Sequence, residues 1–457
     1  MLIDKKSDFD NRDLNFDEID EGLNTREAIA EAKRCLNCAN PLCRKGCPIA
    51  NEIPSFIQEL AKGNIGEASA VIARRSNLPA VCGRVCPHEK QCEAACVLNK
   101  RGCGIKIGKL ERFIADFDAE MNISSVNKKN ATRGRVAVIG SGPAGLTVAG
   151  DLAKQGFDIT VFEAQAEPGG ILMYGIPEFR LSKEVVRREI RSIERLGVVF
   201  RTGVLIGKDL TLDDMFDDGY DAIFIGTGTA LPKELEIPGK ELAGVIQAIY
   251  FLRMVTLVNS GAVARMEVPI NVGDKVIVVG AGNVAMDAAR TALRVGAAKV
   301  TVVYHRSERD MSALRSEFEE AKLEGVSFKW LTSPVRYLGT GNLTGLECTR
   351  MILTDAGERI STQELEKIPA DKVIIAVGQR PAARIVSTTK GIEVSPKGFV
   401  ITKERPYGMT TRRGVFAGGD VVHEPATVVL AMKEAKKVAV GIAQYVEAKK
   451  LMDECGL

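Results

Sequence analysis

Eleven cysteines stand in this 457-residue chain, and nine of them fall between Cys35 and Cys103. The first run is Cys35-x2-Cys38-x4-Cys43-x3-Cys47-Pro48, and the second is Cys82-x3-Cys86-Pro87-x4-Cys92-x3-Cys96. Thiolates are soft ligands, suited to zinc or to iron–sulphur clusters. Zinc knuckles favour paired Cys-x2-Cys units, whereas close four-cysteine runs ending in Cys-Pro fit ferredoxin-type binding. Two [4Fe–4S] clusters are the expectation, with a pair of zinc sites as the alternative. Chain order alone would give each run its own cluster. In two-cluster ferredoxins the fourth cysteine of such a run ligates the other cluster, so Cys47 and Cys96 are candidates for exchange.

Two glycine-rich turns supply the rest of the chemistry. The strand-like run from Arg135 leads into Gly140-Ser141-Gly142-Pro143-Ala144-Gly145, and a helix is expected from Leu146 to Gln155. The first glycine permits the tight turn, the second lets backbone approach a pyrophosphate, and the third lets helix and strand pack closely. The next strand ends at Glu163, where a ribose 2′-hydroxyl would be accepted. The fingerprint recurs as Gly280-Ala281-Gly282-Asn283-Val284-Ala285, but its second strand runs out into His305 and Arg306, with Arg309 nearby and no acid at that end. A carboxylate there would repel a 2′-phosphate, whereas a guanidinium can bind it bidentately. NADPH is therefore expected at the second turn and FAD at the first.

These motifs need α/β units to hold them. From Arg135 onward, runs of β-branched residues alternate with helical patterns, which predicts parallel sheets. The segment before residue 132 leans helical, with short amphipathic stretches around Thr25 and Ile53. A polar linker begins at Ser124. The divisions expected are 1–132 for the clusters, 133–244 and 381–457 for a split FAD domain, and 245–380 for an inserted NADPH domain. The fold class is thus α/β: a helical iron–sulphur domain followed by two Rossmann-like dinucleotide-binding domains.

The bulk numbers exclude other classes. Net charge is +3 and 26% of residues are charged, so there is no electrostatic case for nucleic acid. The start of the chain lacks a basic, then apolar, secretory pattern. The apolar stretch from Leu242 to Val258 carries Gln247 and Arg253 and reads as a half-buried helix rather than a membrane span. No membrane is expected, and a cytoplasmic setting is, where clustered thiols serve metal or redox chemistry. With three histidines in all, no histidine-based hydrolytic or metal centre is apparent, and His88 and His423 read as structural. No cysteine lies between Cys103 and Cys348, which excludes disulfide reduction beside the flavin.

The segments Arg34-Cys-Leu-Asn-Cys, Cys82-Gly-Arg-Val-Cys-Pro and Ile107-Gly-Lys-Leu-Glu-Arg-Phe resemble the small subunit of NADPH-dependent glutamate synthase. The same module is shared with dihydropyrimidine dehydrogenase and with the large subunit of NADH-dependent reduced ferredoxin:NADP oxidoreductase. The resemblance covers essentially the whole chain. It implies a crossed ligand set: Cys35, Cys38, Cys43 and Cys96 on one cluster, and Cys47, Cys86 and Cys92 on the other. The last ligand of the second cluster falls on Glu111, while Cys82 and Cys103 are left as packing or supporting residues. It also implies that the loop with Gly170, Leu172 and Arg180 lies beside the flavin. Asp420 of Gly418-Gly419-Asp420 would meet the ribitol chain, and the helix after Thr427 would point its positive end at the pyrimidine. The implied activity is hydride transfer from NADPH to FAD, then single electrons through the clusters. The electrons would leave for a large catalytic subunit or other redox partner protein in a hetero-oligomer. The ferredoxin:NADP and dihydropyrimidine dehydrogenase partnerships are the alternatives.

Overall fold

The computed structural model describes residues 14–123, 132–229, 231–354, 359–381 and 384–455. The polar linker expected from Ser124 falls largely outside them. Within the described residues the chain divides into two compact units. One holds residues 19–173, 180–231 and 379–455, and the other holds 14–18, 174–179 and 232–378.

The first unit begins with the cysteine-bearing helices. Thr25–Lys33 starts on a reciprocal cap, in which Asn24 Oδ1 accepts from Glu27 N–H and the Glu27 carboxylate accepts from Asn24 N–H, both at 3.0 Å. Ile53–Ala61 buries Ile53, Phe56, Ile57 and Leu60, the spacing of one helical face. It packs with Ile65–Ala73 and Ile107–Met121 around a core that includes Leu110 and Ile114. Most of the cysteines sit in the short connections between helices or at helix ends, while Cys43 lies within Leu42–Gly46 and Cys82 in the middle of Pro79–Val85.

The same unit carries a seven-stranded sheet. Its order is Thr402–Glu404, Tyr407–Thr410, Val415–Ala417, Ala222–Ile225, Arg135–Ile139, Asp158–Glu163 and Val199–Thr202. The last five strands in that order are parallel, and Ala222–Ile225 and Val136 to Ile139 at their centre are apolar and buried, as a sheet covered on both faces requires. The helix opening at the first fingerprint is Pro143–Gln155, and the C-terminal helix is Val428–Glu454.

The second unit centres on a five-stranded parallel sheet ordered Val245–Gln247, Lys372–Ile375, Lys275–Val279, Lys299–Val303 and Ser327–Lys329. Beside it stands an antiparallel sheet of Thr332–Thr340, Asn342–Leu353 and Arg359–Pro369. The apolar stretch expected as a half-buried helix forms Ala248–Asn259, with Phe251, Leu252 and Val255 in the core. Among the described residues no helix is long and apolar enough to cross a membrane.

Candidate redox centres

The first cysteine set converges across the chain. Cys35, Cys38, Cys43 and Cys96 line one cavity together with Leu36, Leu42, Ile57 and Leu98. Burial raises the Cys43 thiol to about 11, and the charges of Cys35, Cys96 and Cys38 add to it. Cys35 is raised for the same reasons, while the Asn37 N–H pulls the other way. Thiols held protonated by burial and mutual repulsion are ready to give up protons to a cationic centre, which relieves both costs. Cys96, from the second run, joins three cysteines of the first, and Cys47 lies outside this cavity's lining.

Cys47, Cys86, Cys92 and Glu111 form the second gathering. Cys47 is raised to about 11, by burial first and then by Glu111. Cys86 is raised first by its hydrogen bond with Cys82, then by burial and by the charges of Cys82, Glu111 and Cys92. Cys92 is raised by burial, Glu111, Glu93 and Cys47. Glu111 itself lies buried on Ile107–Met121, where burial and the charge of Glu189 push its carboxyl up to about 8. Asn51 Nδ2 donates to Glu111 Oε1 at 3.2 Å. Three thiols and one carboxyl thus act on one another, with no cation among the groups that shift them. Cys82 is buried, with its Sγ 3.6 Å from Met432 Sδ and 3.9 Å from Ser76 Oγ, so it stands against the flavin-side C-terminal helix. Cys103 is exposed.

Among the described residues, no three histidine, cysteine or carboxylate groups are drawn together tightly enough for a lone ion. A tetrahedral zinc with 2.3 Å bonds would need its sulphurs about 3.8 Å apart. A cavity ringed by four cysteines offers an all-thiolate donor set.

The cluster helices are fastened to the flavin fold by buried polar contacts. Glu189 accepts from Ala80 N–H at 2.5 Å, at the start of Pro79–Val85. Asn77 donates to Asp151 Oδ1 at 2.8 Å and accepts from Lys154 Nζ at 2.5 Å. Asp116, on the helix that carries Glu111, meets Arg84 at 2.8 Å and also pairs with Arg188 of Lys183–Glu194. None of these was singled out from the sequence. Their partners lie far apart in the chain and leave no local signature.

At the first fingerprint, Gly140 has φ 92° and a Cβ on Gly145 would lie on the Gly140 carbonyl oxygen. A Cβ on Gly142 would meet nothing within 4 Å, so the space in front of its backbone is open. That opening is where a pyrophosphate fits. Glu163 is buried at the strand end. Its Oε2 accepts from Ser141 N–H at 3.1 Å and from Ser141 Oγ at 2.5 Å, and its Oε1 accepts from Gln165 N–H at 2.8 Å. Ser141 Oγ in turn accepts from Gly169 N–H at 2.9 Å, which draws in the Gly169–Gly170 loop. Ser141 carries a small hydroxyl between the first two glycines, the one sequence signal for this bridging role. Gly170 has φ 54°, and a Cβ there would lie 2.8 Å from Gly142 Cα. Gly419, at φ 77°, stands against Ala144, so the C-terminal loop also reaches this turn. Burial raises Asp420 to about 6, against the opposing charge of His423. Thr427 caps Val428–Glu454 by accepting from Leu430 N–H. Leu172 has no exposed surface, and its carbonyl accepts from Lys183 Nζ at 3.2 Å. Arg180 is half-buried eight residues further on.

The second fingerprint repeats the turn in the other unit. Gly280 has φ 125°, Gly282 opens toward Ser312 Oγ, and Ala285 is fully buried against the strand. Asn283 Oδ1 accepts from Leu314 N–H at 2.9 Å, and Val284 is exposed beside it. His305, Arg306 and Arg309 are all exposed past the end of Lys299–Val303, and Arg306 Nε donates to His305 Nε2 at 3.2 Å. At the far end of the helix Asn283–Arg294, the Arg290 and Arg294 guanidiniums lie 4.9 and 3.9 Å from the centre of the buried Phe179 ring.

Comparison with known proteins agrees with this geometry. The family profile for pyridine nucleotide-disulphide oxidoreductase matches residues 134–435, and that for "Dihydroprymidine dehydrogenase domain II, 4Fe-4S cluster" matches residues 12–123. FprA of Mycobacterium tuberculosis shares the fold at a TM-score of 0.60 and 19% identity, over 70% of this chain and 86% of that one. Thioredoxin reductase of Lactococcus lactis does so at 0.51 and 24%, over 68% and 99%. Fold and sites together define an NADPH-dependent oxidoreductase that uses FAD and 4Fe–4S chemistry. The chain is 38% identical over 448 residues to the glutamate synthase [NADPH] small chain of Halomonas elongata, spanning 95% of this chain and 94% of that one. Against the small chain of Escherichia coli K12 it is 36% identical over 455 residues, spanning 95% of each. Against the NAD-dependent dihydropyrimidine dehydrogenase subunit PreT of the same organism it is 34% identical over 432 residues, spanning 94% and 97%. The chain belongs to the family of the glutamate synthase small chains.

Proposed function

We propose that this chain is the NADPH-oxidising arm of a two-chain enzyme, the small chain of a glutamate synthase that supplies reductant to a separate large chain. The observation that carries this reading is the nearly end-to-end match to two such small chains. On this reading the divisions at about 132, 244 and 380 separate cluster, flavin and nucleotide domains, and the enzyme works in the cytoplasm.

FAD, when bound, converts a two-electron hydride into single electrons. This chain's residues do the holding. Gly140, Gly142 and Gly145 make room for the flavin pyrophosphate, with Ala144 beside them, and Glu163 accepts from the ribose. Gly170, Leu172 and Arg180 shape the loop beside it. Gly419, Asp420 and Thr427 close the C-terminal side. Gly280, Gly282, Asn283 and Val284 cradle the NADPH pyrophosphate, and His305, Arg306 and Arg309 take its 2′-phosphate. Cys35, Cys38, Cys43 and Cys96 hold one [4Fe–4S] cluster, and Cys47, Cys86, Cys92 and Glu111 hold the other.

Anaerobic native co-purification with mass identification of the partner tests the reading. A large amidotransferase-type chain supports it. A small flavin and iron–sulphur partner would replace it with ferredoxin-linked NADP chemistry, and a pyrimidine-reducing partner with the PreT-type role.

A further inference from the structure

Just past Lys299–Val303, the strand that leads to the 2′-phosphate position, an imidazole and a guanidinium stand side by side in solvent. Arg306 Nε donates to His305 Nε2 at 3.2 Å, and both side chains are exposed. A ring nitrogen that accepts a hydrogen bond carries a lone pair, so His305 in this pair is the neutral imidazole. The ring is held in place from behind. Tyr304 packs edge-on to it at 5.0 Å between ring centres, and the Tyr304 hydroxyl donates to Asp310 O at 3.2 Å. The carboxylates of the same turn and the charges beside it are engaged elsewhere. Asp310 accepts from Ser307 N–H and Oγ, Glu308 pairs with Arg315, which also meets Glu319, and Lys329 on the neighbouring strand pairs with Glu366. Arg309 adds a further exposed guanidinium from the turn Glu308–Asp310.

Protonating Nε2 as the pair stands removes the acceptor and sets two cations 3.2 Å apart. An anion laid across the pair reverses that cost, because the ring N–H and the guanidinium then both donate to it. A phosphate monoester, close to a dianion at neutral pH, is such an anion, and the bare 2′-hydroxyl of NADH is not. We propose that His305 makes the choice of nucleotide proton-linked: the 2′-phosphate binds together with a proton taken up at His305 Nε2, so the preference for NADPH over NADH sharpens as pH falls toward neutral. The proposal rests on the assignment of NADPH to this turn. The proton comes from solvent and returns there when the nucleotide leaves, and no other bond changes. A ring whose hold on its proton is strengthened by the ligand adds affinity that is full at the acid end and is lost as pH rises. One proton taken up per phosphate bound corresponds to roughly a tenfold change in affinity per pH unit.

The test uses the anaerobic, oxidised holoprotein, titrated with NADP+ or NAD+ in a calorimeter at about pH 7.5, where the free phosphate is already close to a dianion. Runs in HEPES and in Tris, whose heats of ionisation differ, count the protons exchanged. NADP+ should take up about half a proton or more per molecule bound, and NAD+ none. The wild-type Kd for NADP+ should rise roughly three- to tenfold between about pH 7 and about pH 8.5. His305→Gln should abolish both the uptake and that slope. His305→Arg, whose charge is permanent, should hold NADP+ tightly across the whole range and take up no proton, and it is read in the same way if His305→Gln does not fold. Tight NADP+ binding by the wild type without proton uptake, or uptake that survives either substitution, overturns the proposal alone. NADP+ bound no more tightly than NAD+ overturns the assignment of NADPH to this turn, and the proposal with it.

Discussion

Replacing Asp116 by Ala should loosen the cluster helices from the flavin fold. Asp116 receives Arg84 through two nitrogens at 2.8 and 3.1 Å, meets Arg188, and lies 3.5 Å from Arg112 Nε. The Arg84 side chain is 4% exposed, so deleting the Asp116 carboxylate takes an ion-pair partner from a buried guanidinium. Removing one member of a buried pair costs about 3–5 kcal/mol. Asp116 is 22% exposed, and the water that reaches it puts the loss near the low end, about 3 kcal/mol, or roughly 150-fold in the folded-to-unfolded ratio. Anaerobic urea unfolding followed by cluster absorption measures it. The double variant with Arg188→Ala should lose less than the sum of the two single losses. The pH dependence has a definite sign. Burial alone would raise the Asp116 carboxyl, but Arg84 and Arg188 outweigh it and hold it below the usual range. A depressed carboxyl stabilises the fold fully at neutral pH, and that stability is lost as pH falls through its folded value. The gap between wild type and Asp116→Ala should therefore stay constant near pH 7 and close only in acid, below about pH 4. A loss under about 0.5 kcal/mol at pH 7 would mean that the network is solvent-screened like a surface pair and fastens nothing.

Three further outcomes are expected. Glu111→Ala should alter the electron paramagnetic resonance of one reduced cluster and leave the other unchanged, and two unchanged signals would remove Glu111 from the ligand set. Gly142→Ala and Gly145→Ala should separate binding from folding. The first meets no protein atom, so the apoprotein should melt normally while FAD affinity falls; the second drives a methyl into the Gly140 carbonyl and should destabilise the apoprotein by at least 1–3 kcal/mol, roughly the cost of overpacking. Calorimetry with and without FAD reads both, and equal melting of the two variants would contradict the steric argument. Arg306→Ala with Arg309→Ala should raise the KM for NADPH by about ten- to a hundredfold, the equivalent of losing charge-assisted hydrogen bonds worth roughly 1.5–3 kcal/mol. NADH should be used as before, and an equal loss for both nucleotides would place the arginines elsewhere.

What the sequence made legible is what short-range spacing encodes. The two glycine turns are written in runs of six residues because the strand, the turn and the helix start are chain neighbours, and both lie where they were read. The gathering of Cys96 with Cys35, Cys38 and Cys43 is different. Spacing leaves the exchange open, the resemblance implies it, and these four cysteines line one cavity. Invisible in advance were contacts that join remote segments. Glu189 reaches Ala80 across 109 positions, and Arg188 reaches Asp116 across 72. Phe179 is the clearest case. Its neighbour Arg180 belongs to the flavin unit, yet its ring is buried under Arg290 and Arg294, and those guanidiniums are held by Glu317 and Glu324 at 2.6–2.8 Å. Arg294 also donates through Nε to Asn15 O at 2.9 Å, from the segment that leads into the cluster helices. In a linear reading these are an aromatic in a glycine loop, two helix arginines and a polar residue near the start. Their shared site exists only because burying two guanidiniums demands carboxylates and an aromatic face at once, and the chain supplies the first from a later helix and the second from an earlier loop.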